Sequence, residues 1–164
     1  DFGAISIVQN NQITLLDFKF NGWGEKYEYN LDNDITKTIF KDTKPIDFIL
    51  EGGSIDTNGD NVILTTSTCL LQTNRNNISS KTKIGQKLHE YLGTKEIIWL
   101  DYGFLQGDDT NSHIDMFARF VNKDTICYIK CDDKNDIHYD ELQKMQNQLQ
   151  QTKFKLIPLP WVEA

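Results

Sequence analysis

The feature that most constrains the fold of this chain is a pattern that occurs twice. Ser54–Asp56 and Asn61–Thr66 read as two strands joined by an Asn58-Gly59 turn, Lys81–Leu92 as a helix, and Lys95–Leu100 as a strand. Roughly 60 residues further on the order returns. Met116–Val121 and Thr125–Cys131 read as strands around an Asn122-Lys123 turn, Tyr139–Gln151 as a helix and Lys153–Pro158 as a strand. Ile84, Leu88, Tyr91 and Leu92 share one helical face, and Gly93 follows as a terminator. A repeated strand, strand, helix, strand unit predicts units that stack in series or gather around an axis. On the pattern alone an ordinary α/β sandwich stays open. Upstream, Ala4–Val8 and Ile13–Phe20 read as strands, Gly22-Trp23-Gly24 as a turn, the stretch through Asp42 as a polar loop, and Ile46–Glu51 as a buried strand.

Composition narrows the class. A chain of 164 residues, 38% hydrophobic and 25% charged, suits one globular body with a sizeable core. A net charge of −7 argues against a protein that tracks nucleic-acid phosphates or binds an anionic membrane, and does not repel a small cation. No apolar run approaches the roughly 20 residues that span a bilayer. Cys69, Cys127 and Cys131 lie in apolar segments that read as strands, odd in number and without disulfide or zinc spacing, which predicts buried free thiols in a reducing cytosol. Asp1-Phe2-Gly3 runs straight into a strand without an initiator methionine, as in a fragment.

The densest polar run is Gly107-Asp108-Asp109-Thr110-Asn111-Ser112-His113-Ile114-Asp115. Read as the entry to a strand, it puts His113 and Asp115 on one face and Ile114 on the other, so that a proton-transfer group stands beside an anion in one cleft. Such a pair suits a cationic substrate. Glu51-Gly52-Gly53 reads as a strand ending in a bend, Trp23 and Tyr27 as core aromatics, and His89 and His138 as exposed and inert.

Four segments in order carry a resemblance: Asp1-Phe2-Gly3, Phe20-Asn21-Gly22-Trp23-Gly24-Glu25-Lys26-Tyr27, Leu50-Glu51-Gly52-Gly53-Ser54-Ile55, and Asp108-Asp109-Thr110-Asn111-Ser112-His113-Ile114-Asp115. Together they resemble the agmatine deiminase and bacterial peptidyl-arginine deiminase family, from Asp1 to the closing Trp161-Val162-Glu163-Ala164. The resemblance implies the pentein fold, an α/β-propeller of five ββαβ-type units around the substrate. Residues 1–164 would be a partial single domain, cut at both ends, holding about three of the five units and exposing apolar flanks. It implies hydrolysis of a guanidinium to a urea with release of ammonia through a covalent cysteine intermediate, without metal or cofactor.

By the same resemblance His113 is the acid and base, Asp1 and Asp115 bind the guanidinium, and Glu51 supports both the histidine and the guanidinium. His113, Glu51 and Asp115 are thus the catalytic expectation, and Asp1, Asp115 and Glu51 the substrate-binding one. The expected partner is a small guanidino compound, with no nucleic acid and no membrane, and a homo-oligomer of the full-length protein is left open. Agmatine, converted to N-carbamoylputrescine, is the first reading, and peptidyl-arginine or free arginine the second. The family's cysteine lies in a Gly-rich C-terminal stretch that Cys69, Cys127 and Cys131 do not match, so the chain alone is expected to be inactive. A non-catalytic guanidinium-binding module is the alternative of another class. Asn74-Arg75-Asn76 resembles a family segment and reads as a structural loop. Ser112 stands where many relatives have glycine and Ala4 where proline is common; both are tolerable where φ stays negative.

Overall fold

The computed structural model describes residues 1–161; the last three residues of the closing Trp-Val-Glu-Ala stretch lie outside them. The repeat occurs three times. Strands β1 (Ile5–Gln9), β2 (Gln12–Lys19) and β3 (Lys44–Ile49) form one sheet, β4 (Ile55–Thr57), β5 (Val62–Thr66) and β6 (Glu96–Leu100) a second, and β7 (Ala118–Asn122), β8 (Thr125–Lys130) and β9 (Lys155–Pro160) a third. In each the first two strands are an antiparallel hairpin and the third runs parallel to the second. A parallel partner demands a crossover, which is where the helices sit. The fold is therefore α/β with three open three-stranded sheets, and the N-terminal third is a further copy of the unit that the sequence pattern reveals only twice.

That first copy was hidden for a physical reason. Its crossover, expected as a polar loop, contains a helix at Asp32–Ile39 whose only buried residue is Thr36. Its apolar stripe is short, Ile35 and Ile39 four apart among polar residues, and is a weak signal on its own. The other two crossover helices, Lys81–Leu92 and Tyr139–Leu149, bury Ile84 and Leu88, and Leu142, Met145 and Leu149. Ser80 caps the former through the amide of Lys83, and Gly93 ends it at φ 69°.

Each of these helices packs into a core shared with the preceding sheet. Ile84 and Leu88 join Leu16, Phe18, Ile46 and Phe48 of the first sheet, whereas Leu142, Met145 and Leu149 join Val62, Leu64 and Leu100 of the second. Side chains of this size contribute about 1.5–3 kcal/mol each on burial, so the inter-unit cores dominate cohesion. Among the charged groups, Asp56 accepts from Arg119 Nε at 2.9 Å and from the Phe120 amide, stapling β4 to β7. At the two outer sheets Val8, Ile13, Val121, Ile157 and Leu159 stay exposed. Among the described residues no helix is long and apolar enough to cross a membrane.

Candidate active site

The connections that follow β3 and β6 meet at one point, and Gly53 marks it. A Cβ built on Gly53 would lie 2.6 Å from Asp115 Oδ2, 2.6 Å from His113 Nδ1 and 2.9 Å from Asp1 Oδ1. Only hydrogen fits there. The Gly-Gly pair is thus more than the bend expected from sequence: it forms a 3-10 turn, Gly52–Ser54, whose backbone lets two carboxylates and an imidazole converge. All four residues singled out beforehand, Asp1, Glu51, His113 and Asp115, gather here.

Their convergence does not come from strand alternation. His113 precedes a 3-10 turn, Ile114–Met116, so Asp115 reaches the site by helical rotation while Ile114 is fully buried. Asp108 builds the preceding loop, accepting from the amides of Thr110 at 2.8 Å and Ser112 at 2.6 Å. Burial pushes its carboxyl up, but these bonds and the Thr110 hydroxyl outweigh that and hold it below the usual carboxylate range. Thr110 Oγ1 in turn accepts from the His113 amide at 3.1 Å. Ser112 adopts φ 64°, so the condition that φ stay negative there is not met. The hydrogen bond to Asp108 offsets a conformation that glycine would adopt freely.

The floor of the site is sealed. Glu51 and His113 have side chains 0% and 2% exposed, and Glu51 Oε2 lies 2.5 Å from His113 Nε2. Arg75, also buried, donates through Nε to Glu51 Oε1 at 2.8 Å and through Nη2 to Oε2 at 3.0 Å. Burial pushes the Glu51 carboxyl up; the bonds from His113 and Arg75, with the guanidinium charge, outweigh it and keep Glu51 below its ordinary value. An ionised carboxylate only accepts, so Nε2 carries the proton that faces Glu51 and leaves Nδ1 turned to the hollow at Gly53.

The rim is different. Asp115 is exposed, and Asp1, which a chain terminus would ordinarily leave frayed, is pinned by three bonds: its carbonyl accepts from the Gly52 amide, Oδ1 from the Gly53 amide at 2.7 Å, and Oδ2 from Trp23 Nε1 at 2.8 Å. Trp23 is brought there by a left-handed turn in which Gly22, Trp23, Gly24 and Glu25 all have positive φ. At Gly22 a Cβ would meet the Tyr27 carbonyl oxygen at 2.1 Å, which fixes that position as glycine. Trp23 is thus half-buried at the rim, and Tyr27 is exposed with its hydroxyl on Asp109, so neither is the core aromatic expected.

Sequence reading missed two participants. Asn74-Arg75-Asn76 is the structural loop anticipated, with Asn74 holding the Gly24 carbonyl and Asn76 the Ile49 backbone, but Arg75 between them enters the site. The available signal was that only two arginines, Arg75 and Arg119, stand among 17 basic residues, and both meet buried carboxylates. Trp23 carried no signal beyond its motif. His138 also departs from the exposed reading: it stacks on Phe104, bonds Asp136 at 2.6 Å and accepts from the Gln106 amide.

Cys69 and Cys131 are fully buried and Cys127 partly so, all free. Cys69 sits in a helical turn, Ser67–Leu70, rather than a strand, and burial pushes its thiol up to about 12. It is not poised as a thiolate. Its sulfur could join Glu51 and His113 around a cation, all three within 4.8 Å, yet the 2.5 Å bond between the latter two closes the space a metal would need.

The profile of the Porphyromonas-type peptidyl-arginine deiminases matches residues 1–164. The chain belongs to that family. Among its relatives, an agmatine deiminase from Medicago truncatula is 36% identical over 140 residues, covering 79% of this chain and 37% of the relative. Solved family structures agree. A cysteine-to-serine agmatine deiminase from C. jejuni with substrate bound superposes with a TM-score of 0.95 at 52% identity, over 98% of this chain and 50% of that one. An agmatine deiminase of Enterococcus faecalis does so with a TM-score of 0.89 at 30% identity, over 98% of this chain and 48% of that one. The chain thus spans about half the length, or less, of these family members.

Proposed function

We propose that this chain is the guanidinium-binding part of an agmatine deiminase, a hydrolase of C–N bonds that converts agmatine to N-carbamoylputrescine and ammonia. The observation that carries the reading is the convergence of Asp1, Asp115 and His113 Nδ1 on the hollow at Gly53. Two carboxylates there suit the paired donors of a guanidinium, and the adjacent Nδ1 suits proton transfer to its nitrogen. Glu51 orients His113; contact with the guanidinium itself would use the lone-pair directions that Arg75 and His113 leave open.

In the proposed reaction a cysteine thiolate adds to the guanidinium carbon, His113, protonated on both nitrogens at this stage, gives its Nδ1 proton to the departing nitrogen, and the C–N bond breaks as ammonia leaves. Water then adds to the thiouronium carbon, giving one proton to His113; the C–S bond breaks, the thiolate departs, and loss of the remaining hydroxyl proton to solvent leaves the urea. The thiolate would come from polypeptide outside residues 1–164, in keeping with the buried, high-lying thiol of Cys69 and with substrate being bound by a cysteine-to-serine relative. The three repeated units and the exposed apolar residues on the outer sheets fit a five-unit pentein ring of which this chain forms part. A cytosolic location accords with the free cysteines.

The test is to titrate agmatine into the chain and to assay ammonia separately. Binding without ammonia is expected. Turnover by the chain alone would relocate the nucleophile to one of its own cysteines, and absence of binding would overturn the reading. Tighter binding of a peptidyl-arginine or free arginine than of agmatine would favour the second substrate class.

A further inference from the structure

Arg75 is used by nothing in the reaction above, yet it is the most completely enclosed cation described, its side chain 2% exposed. Besides its two bonds to Glu51 it donates through Nη2 to the Thr110 carbonyl at 2.9 Å and through Nη1 to Asn111 Oδ1 at 3.1 Å. Thr110 and Asn111 belong to the loop that ends in His113, and His113 bonds back to Glu51. The result is a closed circuit: Arg75 to Glu51, Glu51 to His113, and His113 through its own loop to Arg75. A planar fork with five N–H groups can close such a circuit, whereas an ammonium cannot reach two carboxylate oxygens and two loop acceptors in fixed directions.

We propose that Arg75 is a positioning residue that locks the Glu51 carboxylate and the 110–113 loop to one another, so that His113 presents Nδ1 to the hollow at Gly53. The kinetic consequence rests on the guanidine-hydrolysis reading; the structural one does not. Without the fork, Glu51 would be a buried carboxylate with one partner, and burial would raise its proton affinity until it competed with His113 for the proton between them. The ring could then adopt either tautomer, and the nitrogen facing the substrate would be protonated at the wrong stage of the cycle.

The experiment compares the wild type with Arg75→Gln and Arg75→Lys in the protein that carries this chain together with its thiolate-bearing remainder. Per folded molecule, Arg75→Gln should lower kcat about 100-fold, change KM less than about threefold, and move the acid limb of the kcat profile to higher pH. Arg75→Lys should return the acid limb towards the wild-type position while kcat stays about tenfold low, because charge is restored and the fork is not. Nitrogen-detected NMR of the His113 ring supplies a readout free of activity: the wild type should hold the proton on Nε2, and Arg75→Gln should show both tautomers. A merely structural arginine would lower Tm and leave the pH limb, the kcat to KM split and the tautomer unchanged, and that result overturns the proposal. If Arg75→Gln does not fold, wild-type kcat, pH limb and tautomer in Arg75→Lys overturn it equally. If the wild type hydrolyses no guanidine, the functional reading fails and the tautomer comparison still decides the role of Arg75.

Discussion

The floor and the rim of the site share one hollow but are built on opposite principles. Glu51, Arg75 and His113 form a floor without solvent, in which every charge has a partner. Asp1 and Asp115 form an anionic rim, in which Asp115 is exposed and the Asp1 carboxylate, 21% exposed, is tethered by the Gly53 amide and Trp23. The contrast separates two tasks. A buried network cannot exchange partners without leaving an unpaired charge, so it suits orientation. A carboxylate within reach of solvent keeps its hydration until charged donors replace it, so it can take up and release a cation without stranding a buried charge, and it suits binding. Residues of the floor should therefore govern stability and geometry, and residues of the rim affinity.

The sharpest way to break this division is Glu51→Leu, which strands the Arg75 guanidinium in a dry interior. A loss of about 3–5 kcal/mol in urea unfolding is expected; a change below about 1 kcal/mol would mean that the floor is not a closed network. Gly53→Ala acts on both halves at once. Its methyl group would press on Asp115, His113 and Asp1, so stability should fall by about 1–3 kcal/mol, with agmatine binding lost by calorimetry. Intact binding would show that the hollow is not where the guanidinium sits.

Asp115→Asn removes only rim charge. Loss of a charge-assisted bond of about 1.5–3 kcal/mol predicts agmatine affinity roughly 10- to 100-fold lower, with unfolding free energy within about 0.5 kcal/mol of wild type. A large stability loss would erase the distinction between the two regions. The floor also has its own pH signature. Glu51 titrates lower in the folded state than in the unfolded one, so its stabilisation is complete above the unfolded value of about 4.3 and is lost as pH falls through the lower folded value. Tm measured against pH should show this acid decline in wild type and in Asp115→Asn, and a weaker one in Glu51→Leu. Smallest of all, Trp23→Phe deletes one bond to Asp1. About 0.5–1.5 kcal/mol of rim order is at stake, readable as a few-fold weaker binding at unchanged Tm.

Much of the architecture was legible in the chain because its signals are local. Asn58-Gly59 marks a hairpin, and Ile84 and Leu88 mark a buried stripe, without reference to anything distant. The helix at Asp32–Ile39 is hard to read because its apolar stripe is only Ile35 and Ile39 amid polar residues. The motif residues Asp1, Glu51, His113 and Asp115 could be named as a set from their order, but not their geometry. His113 and Asp115 meet through a 3-10 turn rather than a strand, and Ser112 takes the left-handed conformation its side chain should resist.

The linear sequence by itself thus determined two of the three repeated units, the acidic character, and four of the polar residues that converge, Asp1, Glu51, His113 and Asp115. Tertiary structure alone decided which of them are dry. Arg75 lies 24 residues from Glu51 in sequence, and His113 lies 62 from it. A hydrogen bond acts over about 3 Å whatever the length of chain between its partners. Nothing in the spacing of these residues announces that one guanidinium closes the floor beneath the histidine; only the packing of successive sheets does.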